Sequence, residues 1–174
     1  MTRGPLPTQA EFHQAIASRA DAWYSACLRI TRSPELAEDA VQEALLSAWA
    51  KRDQFQGDAR LETWIHRIAI NAALQLVRKQ KPGMFTPLDE EPPGDNERPD
   101  DLQHQDETVN LLARALPCLT EAERVCFVLK HLEQWRLQEI ADELGTNTSS
   151  VKQALFRGVR KLRGKLADLR STSL

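Results

Sequence analysis

Apolar residues recur along this chain at the three-and-four spacing of amphipathic helices, and capping residues punctuate the pattern. Thr8 followed by Glu11 has capping-box spacing and opens a first helix. Ser33, then Pro34 with Glu35 in the first turn, opens a second, with Ala37, Val41, Ala44 and Ala48 as its core stripe. A polar loop from Asp53 to Asp58, containing Gly57, precedes a third helix expected over about Arg60 to Gln80. Its apolar side carries Leu61, Ile65, Ile68, Ala72 and Leu76, extended round by Ile70, Leu74 and Val77. A second group of helices begins near Thr108. Pro117 ends its first member, Thr120 and Glu123 form another capping box, and two helices follow over about Leu137–Leu144 and Ser149–Asp168. The pattern predicts an all-α protein of two small helical domains, with no internal repeat.

Between the two groups the composition changes. From Pro82 to Asn110 there are nine acidic residues against one basic residue, Arg98, and five of the nine prolines. Such a stretch cannot bury enough apolar surface to fold, and proline blocks helix propagation. The expected division is a domain over 8–81, an acidic linker over 82–107 and a second domain over 108–170.

The second domain carries the sharpest motif. Leu137, Ile140, Ala141 and Leu144 share one helical face, and Gly145 falls where a left-handed residue must end the helix. The small Ala141 permits a close crossing by a helix whose Val151 and Leu155 pack back on the first. These are the demands of a helix-turn-helix, whose second helix enters the major groove of DNA. On that second helix Val151, Leu155, Val159, Leu162, Leu166 and Leu169 form one stripe. The opposite arc is expected to carry Lys152, Gln153, Phe156, Arg157, Arg160 and Arg163. Thr148 to Arg170 holds seven basic residues and one acid, a local charge of +6. Such a face attracts phosphates and gains from counterion release. Gln153 and Arg157 suit base edges, and Phe156 a thymine methyl.

Two faces of the first domain point further. Glu35, Glu38, Asp39, Gln42 and Glu43 lie in one arc of the second helix, with Leu46 at its middle and Trp49 near its edge. An acidic face studded with a large apolar residue suits a basic protein partner with an apolar socket, although an acidic stripe alone is more simply a solvated face. On the third helix Arg60, Trp64, Arg67, Asn71, Gln75 and Arg78 share a stripe, followed by Lys79 and Lys81. Trp64 alone reads equally as a core indole. The set suits single-stranded nucleic acid, whose bases stack on aromatic rings.

Composition narrows the rest. The chain has 174 residues, a net charge of −2, 41% hydrophobic and 28% charged residues, the balance of an ordinary globular protein. Cys27, Cys118 and Cys126 are odd in number and lack C-x-x-C spacing, so reduced, buried thiols are expected. His13, His66, His104 and His131 lack the spacing of a metal site, which argues against a metallonuclease. Neither a secretory signal after Met1 nor a membrane-spanning run is legible, so no membrane insertion and a cytoplasmic location are expected.

Three segments together resemble one family. Glu35 to Trp49 (ELAEDAVQEALLSAW) is similar to the core-polymerase-binding segment of extracytoplasmic-function sigma factors of RNA polymerase. Phe55 to Asn71 (FQGDARLETWIHRIAIN) resembles their −10 segment, and Leu116 to Arg124 (LPCLTEAER) with the helix-turn-helix resembles their −35 domain. The resemblance runs from about residue 10 to residue 168. It implies a non-enzymatic, cofactor-free initiation factor whose partners are core RNA polymerase, promoter DNA and an anti-sigma factor. Glu35, Glu38, Asp39, Gln42, Glu43 and Leu46 would dock on the polymerase clamp helices. Gln56, Gly57, Asp58, Ala59 and Arg60 would hold a flipped non-template base, with Trp64, Arg67, Asn71, Arg78 and Lys79 contacting the −10 strand nearby. Ser149, Ser150, Lys152, Gln153, Phe156, Arg157, Arg160 and Lys161 would face the −35 element. The acidic linker would run through the polymerase cleft. Two departures stand out: Gln153-Ala154 replaces a common Ser-Arg, and Gly158 a common Ala, which is expected to loosen the recognition helix. The competing reading is a stand-alone helix-turn-helix regulator that binds duplex DNA unaided.

Overall fold

The capping residues mark the helices in a computed structural model that describes residues 5–83 and 111–172. Among the described residues all regular structure is helical, and the chain divides into two compact units, Met1–Pro82 and Gly83–Leu174. The acidic, proline-rich stretch, and the start of the second domain expected at Thr108, lie outside the described residues from 84 to 110.

The first unit is built from α1 (Gln9–Thr31), α2 (Pro34–Ala50) and α3 (Leu61–Gln80). Thr8 closes both arms of its capping box: its hydroxyl accepts the Glu11 N–H at 3.2 Å, and its own N–H donates to the Glu11 carboxylate at 2.7 Å. Arg32 ends α1 in the left-handed region at φ 55°, and one residue later the Ser33 hydroxyl accepts the Leu36 N–H to start α2. The core holds Trp23, Cys27 and Ile30 from α1, Ala37, Ala40, Ala44 and Ala48 from α2, and Ile65, Ile70 and Leu74 from α3. Each fully buried large apolar side chain stabilises the unit by roughly 1.5–3 kcal/mol. The α2 stripe differs from expectation by one position: Ala40 is fully buried and Val41 half-buried. Both flank the line through Ala37, Ala44 and Ala48; alanine's single methyl stays inside a close helix contact, whereas valine's two branches reach its edge. Trp23 Nε1 donates to the Glu62 carbonyl at 3.3 Å and so ties the start of α3 to α1.

In the second unit a helical stretch at 111–115 passes into a 3₁₀ turn, Leu116–Cys118, at Pro117, as its missing N–H requires. Thr120 caps α4 (Glu121–Phe127), which widens into a π turn over Val128–Leu132. Gln134, at φ 58°, reverses the chain and buried Trp135 anchors it before α5 (Leu137–Leu144). Gly145, at φ 65°, ends α5, and α6 (Thr148–Thr172) follows. The Asn147 side chain accepts the Ser150 N–H at 2.8 Å, which starts α6 one residue before the expected Ser149. Leu166 and Leu169 pack on a cluster of Leu112, Ala115, Leu116, Leu119, Phe127 and Leu162, and the helix continues beyond the expected Asp168.

Candidate nucleic-acid interface

The turn from α5 into α6 has the geometry its sequence demands. Ile140, Ala141, Leu144 and Val151 are buried against one another's elements, and α6 leaves the turn with Ser149, Lys152, Arg157, Arg160 and Arg163 exposed. The exposed arc is narrower than the helical wheel suggested. Gln153, expected to read base edges, is only 4% exposed, so in this conformation its amide does not lie on the groove-facing arc. The buried face of α6 is centred on Val151, Ala154, Gly158 and Leu162, while Leu155 and Val159 are half-buried at its flank. The first turns of α6 are covered on more than one side, and that covering takes in Gln153. Phe156 and Ser150 are half-buried, and Ser150 spends its N–H on the Asn147 cap.

Lys161, exposed on the same helix, also makes a contact that its sequence position does not point to. Its ammonium lies 2.6 Å from Glu123 Oε1 on α4. Glu123 is 1% exposed, and the same oxygen accepts the Thr120 N–H at 3.1 Å. Burial pushes the Glu123 carboxyl upward, but the hydrogen bonds from Lys161 and Thr120 outweigh it and hold the group below its usual range. Gly158 does not interrupt α6: a Cβ there would meet Glu123 and Leu119 at 3.6–3.8 Å, ordinary van der Waals distances. The expected loosening is therefore confined to glycine's own backbone entropy.

In the first unit the loop Gln56–Arg60 is exposed throughout, with Gly57 in the left-handed region at φ 79°. An aromatic pair stands at its N-terminal edge. Phe55 and Trp64 lie 5.3 Å apart between centroids with planes tilted by 47°. Trp64 is half-buried, so it is neither the core indole nor the open stacking platform that its position alone allowed. Arg67 and Asn71 are half-buried, and Asn71 Oδ1 is buried without a hydrogen-bond partner. Gln75, Arg78 and Lys79 are exposed further along α3.

The acidic arc of α2 is solvent-facing at every position named for it: Glu35, Glu38, Asp39, Gln42 and Glu43 are exposed. Leu46 is 75% exposed at its middle. Trp49, 40% exposed, is held from two sides: the Phe12 ring meets it edge-on at 5.1 Å, and the Arg52 guanidinium covers it at 4.1 Å. An exposed leucine flanked by carboxylates thus lies beside an indole held in place.

These placements meet the comparisons with known proteins. Residues 16–82 match the family described as Sigma-70 region 2, and residues 110–162 match Sigma-70, region 4. The ECF RNA polymerase sigma factor SigW of Bacillus subtilis is 31% identical over 86% of this chain and 85% of its own length. SigG of Mycobacterium tuberculosis is 32% identical over 78% of this chain, which spans only 43% of that longer protein. The chain belongs to the extracytoplasmic-function sigma factors. This sigma factor directs RNA polymerase to promoters, and the region 2 match beside region 4 supports that reading over a stand-alone helix-turn-helix regulator. In fold it is similar to RpoE of Bartonella quintana, solved in complex with the anti-sigma factor NepR, at TM-score 0.54 and 23% identity, covering 90% of this chain and 97% of that one. CnrH, solved in complex with the cytosolic domain of CnrY, is similar at TM-score 0.50 and 22% identity. No helix among the described residues is long and apolar enough to cross a membrane.

Several contacts in the sigma factor have no signal in its sequence. The Thr120–Glu123 capping box was legible, but its bond to Lys161, 38 residues away, had no local signal. Phe55 stands beside the loop in sequence, with nothing local to point to Trp64 as its partner. Among the cysteines, Cys27 and Cys126 are buried as expected, whereas Cys118 is exposed, carried outward by the turn at Pro117. Burial pushes the Cys126 thiol up to about 12.

Proposed function

We propose that the sigma factor works through three surfaces in turn. The exposed acidic arc of α2, Glu35, Glu38, Asp39, Gln42 and Glu43 around Leu46, docks on a basic and apolar surface of core RNA polymerase. The basic arc of α6, chiefly Lys152, Arg157 and Arg160 with Ser149 and the edge of Phe156, then seats the complex on the −35 duplex. The loop Gln56–Arg60, beside the Phe55–Trp64 pair, captures an unstacked non-template base at the −10 element, and Arg67, Asn71, Arg78 and Lys79 hold the strand. Capture offsets a melting cost of a few kcal/mol. The chain itself makes and breaks no bonds.

The single observation that carries this reading is the sorting of exposed charge by helix, carboxylates on α2 and cations on α3 and α6. The regions 8–81 and 108–170 would act as the −10 and −35 modules, with 82–107 as their tether. An anti-sigma factor is the expected regulator, as RpoE of Bartonella quintana was solved in complex with one, and the cytoplasm the expected location. Run-off transcription with core polymerase and genomic templates tests the proposal: start sites clustered behind a shared pair of elements support it. Tight binding of a symmetric duplex by the chain without core, and no promoter-directed initiation with core, would overturn it.

A further inference from the structure

We propose that the Glu123–Lys161 ion pair is a positioning clamp: it fixes the rotation of α6 about its own axis, and so the approach of Arg157 to its base pair. Lys161 itself does not contact DNA. The inference rests on the reading of α6 as the −35 recognition helix.

The pair is asymmetric in a way that suits a clamp. Glu123 Oε1 accepts both the Lys161 ammonium at 2.6 Å and the Thr120 N–H at 3.1 Å, so the carboxylate is locked to the start of α4 before the lysine reaches it. The Glu123 side chain is 2% exposed and that of Lys161 44%. A rigid buried acceptor therefore captures a long, flexible donor, and the lysine stem is drawn away from the groove-facing arc. Three residues before Lys161, Gly158 faces the same residue: a Cβ added there would meet the Glu123 Cβ at 3.6 Å and carbonyl at 3.7 Å, so one residue of α4 meets α6 twice. One residue earlier again, and one turn before Lys161, stands exposed Arg157. Glu123 thus faces Gly158 and Lys161 together, and the root of Arg157, four residues before Lys161, sits one turn from the clamp.

Rotation is the coordinate that matters for readout. A guanidinium roughly 8 Å from a helix axis moves about 1.4 Å for a rotation of about 10°, enough to break a bidentate contact to a base. Arg157 and Lys161 are also like charges at i,i+4 and repel along the helix. Glu123 cancels that repulsion on the lysine side and leaves Arg157 free to point at the duplex. The sequence places a cation at 161 and suggests one more phosphate contact; the fold spends that cation on aiming another.

The test uses holoenzyme assembled from the full chain and core polymerase, with promoter fragments randomised across the −35 element, and reads enrichment at each base pair and the dependence of binding on salt. Lys161→Met should lower discrimination at one base pair by about fivefold or more, the lower end of what a single base contact confers. It should leave the slope of log affinity against log salt unchanged, because no phosphate contact is lost. Lys161→Arg should restore discrimination. In an Arg157→Ala background Lys161→Met should add nothing at that base pair. Binding is measured below the onset of unfolding of each variant, established by thermal melting. Unchanged discrimination in Lys161→Met, or a uniform loss on every sequence with or without a shallower salt slope, would overturn the clamp. Wild-type holoenzyme without any −35 preference would instead overturn the reading of α6 on which it rests.

Discussion

Replacing Gly158 by alanine measures how α6 is seated on α4. Gly158 is buried in the interior of a 25-residue helix. An added Cβ meets Glu123 Cβ at 3.6 Å, the Glu123 carbonyl at 3.7 Å and Leu119 Cδ1 at 3.8 Å, so nothing has to move. Alanine in a helix interior gains about 0.5–1 kcal/mol over glycine, largely by narrowing the unfolded ensemble. One buried methyl can add up to about 0.8 kcal/mol. The expected stabilisation is about 1–1.5 kcal/mol. At roughly 4–8 °C per kcal/mol for a unit of this size, the melting temperature of the second unit should rise by about 4–12 °C. Gly164→Ala is the control: on the same helix its Cβ meets nothing within 4 Å, so only the propensity gain of about 0.5–1 kcal/mol remains. Gly57→Ala marks the opposite case, since at φ 79° a side chain is strained by about 1–2 kcal/mol and the first unit should melt earlier. Calorimetry on the full chain, resolving the two transitions, reads all three. A melting temperature for Gly158→Ala below that of the wild type would refute the seating of α6 against Glu123 and Leu119.

Charge reversal at Asp39 and Glu43 should abolish assembly with core polymerase while circular dichroism stays unchanged, because both side chains are exposed and outside the core; retained holoenzyme on size exclusion would sink the docking role of α2. Arg157→Ala should cost about 1–3 kcal/mol on the cognate −35 and relax selection at one position, and equal loss on all sequences would make it a phosphate contact. The second unit should lose stability on acidification in two windows. Burial first, then Lys130, holds His131 below its ordinary 6.5, so the stabilisation from its neutral form is complete above that value and is lost as pH falls through the lowered one. Glu123 is held below 4.5, and its contribution is lost as pH falls through that lower value. Urea melts against pH should show His131→Gln removing the upper window and Glu123→Gln the lower; identical profiles would refute both. In native protein a thiol reagent should label Cys118 rapidly and spare Cys27 and Cys126 until unfolding, which mass spectrometry of the modified peptides can check.

What the sequence determined by itself is local. Helix starts at Thr8, Ser33 and Thr120, the stop at Gly145 and the polar loop around Gly57 follow from capping and turn chemistry that reaches only three or four residues, and all of them hold in the structure. The acidic face of α2 was equally legible, because exposure on a helix packed on one side follows from the wheel. The tertiary structure alone decided the rest. Whether Gln153 or Arg157 faces outward depends on how many neighbours wrap the first turns of α6, and a wheel built for one packed face cannot count them. Lys161 looked like one cation among seven until the fold brought a buried carboxylate within 2.6 Å of it. Phe55 gained its meaning only from Trp64, and Cys118 its exposure only from the turn at Pro117. A periodic sequence states which face a helix hides, but partners that lie tens of residues away are chosen when helices pack, and it is there that a surface charge becomes either a contact or a support.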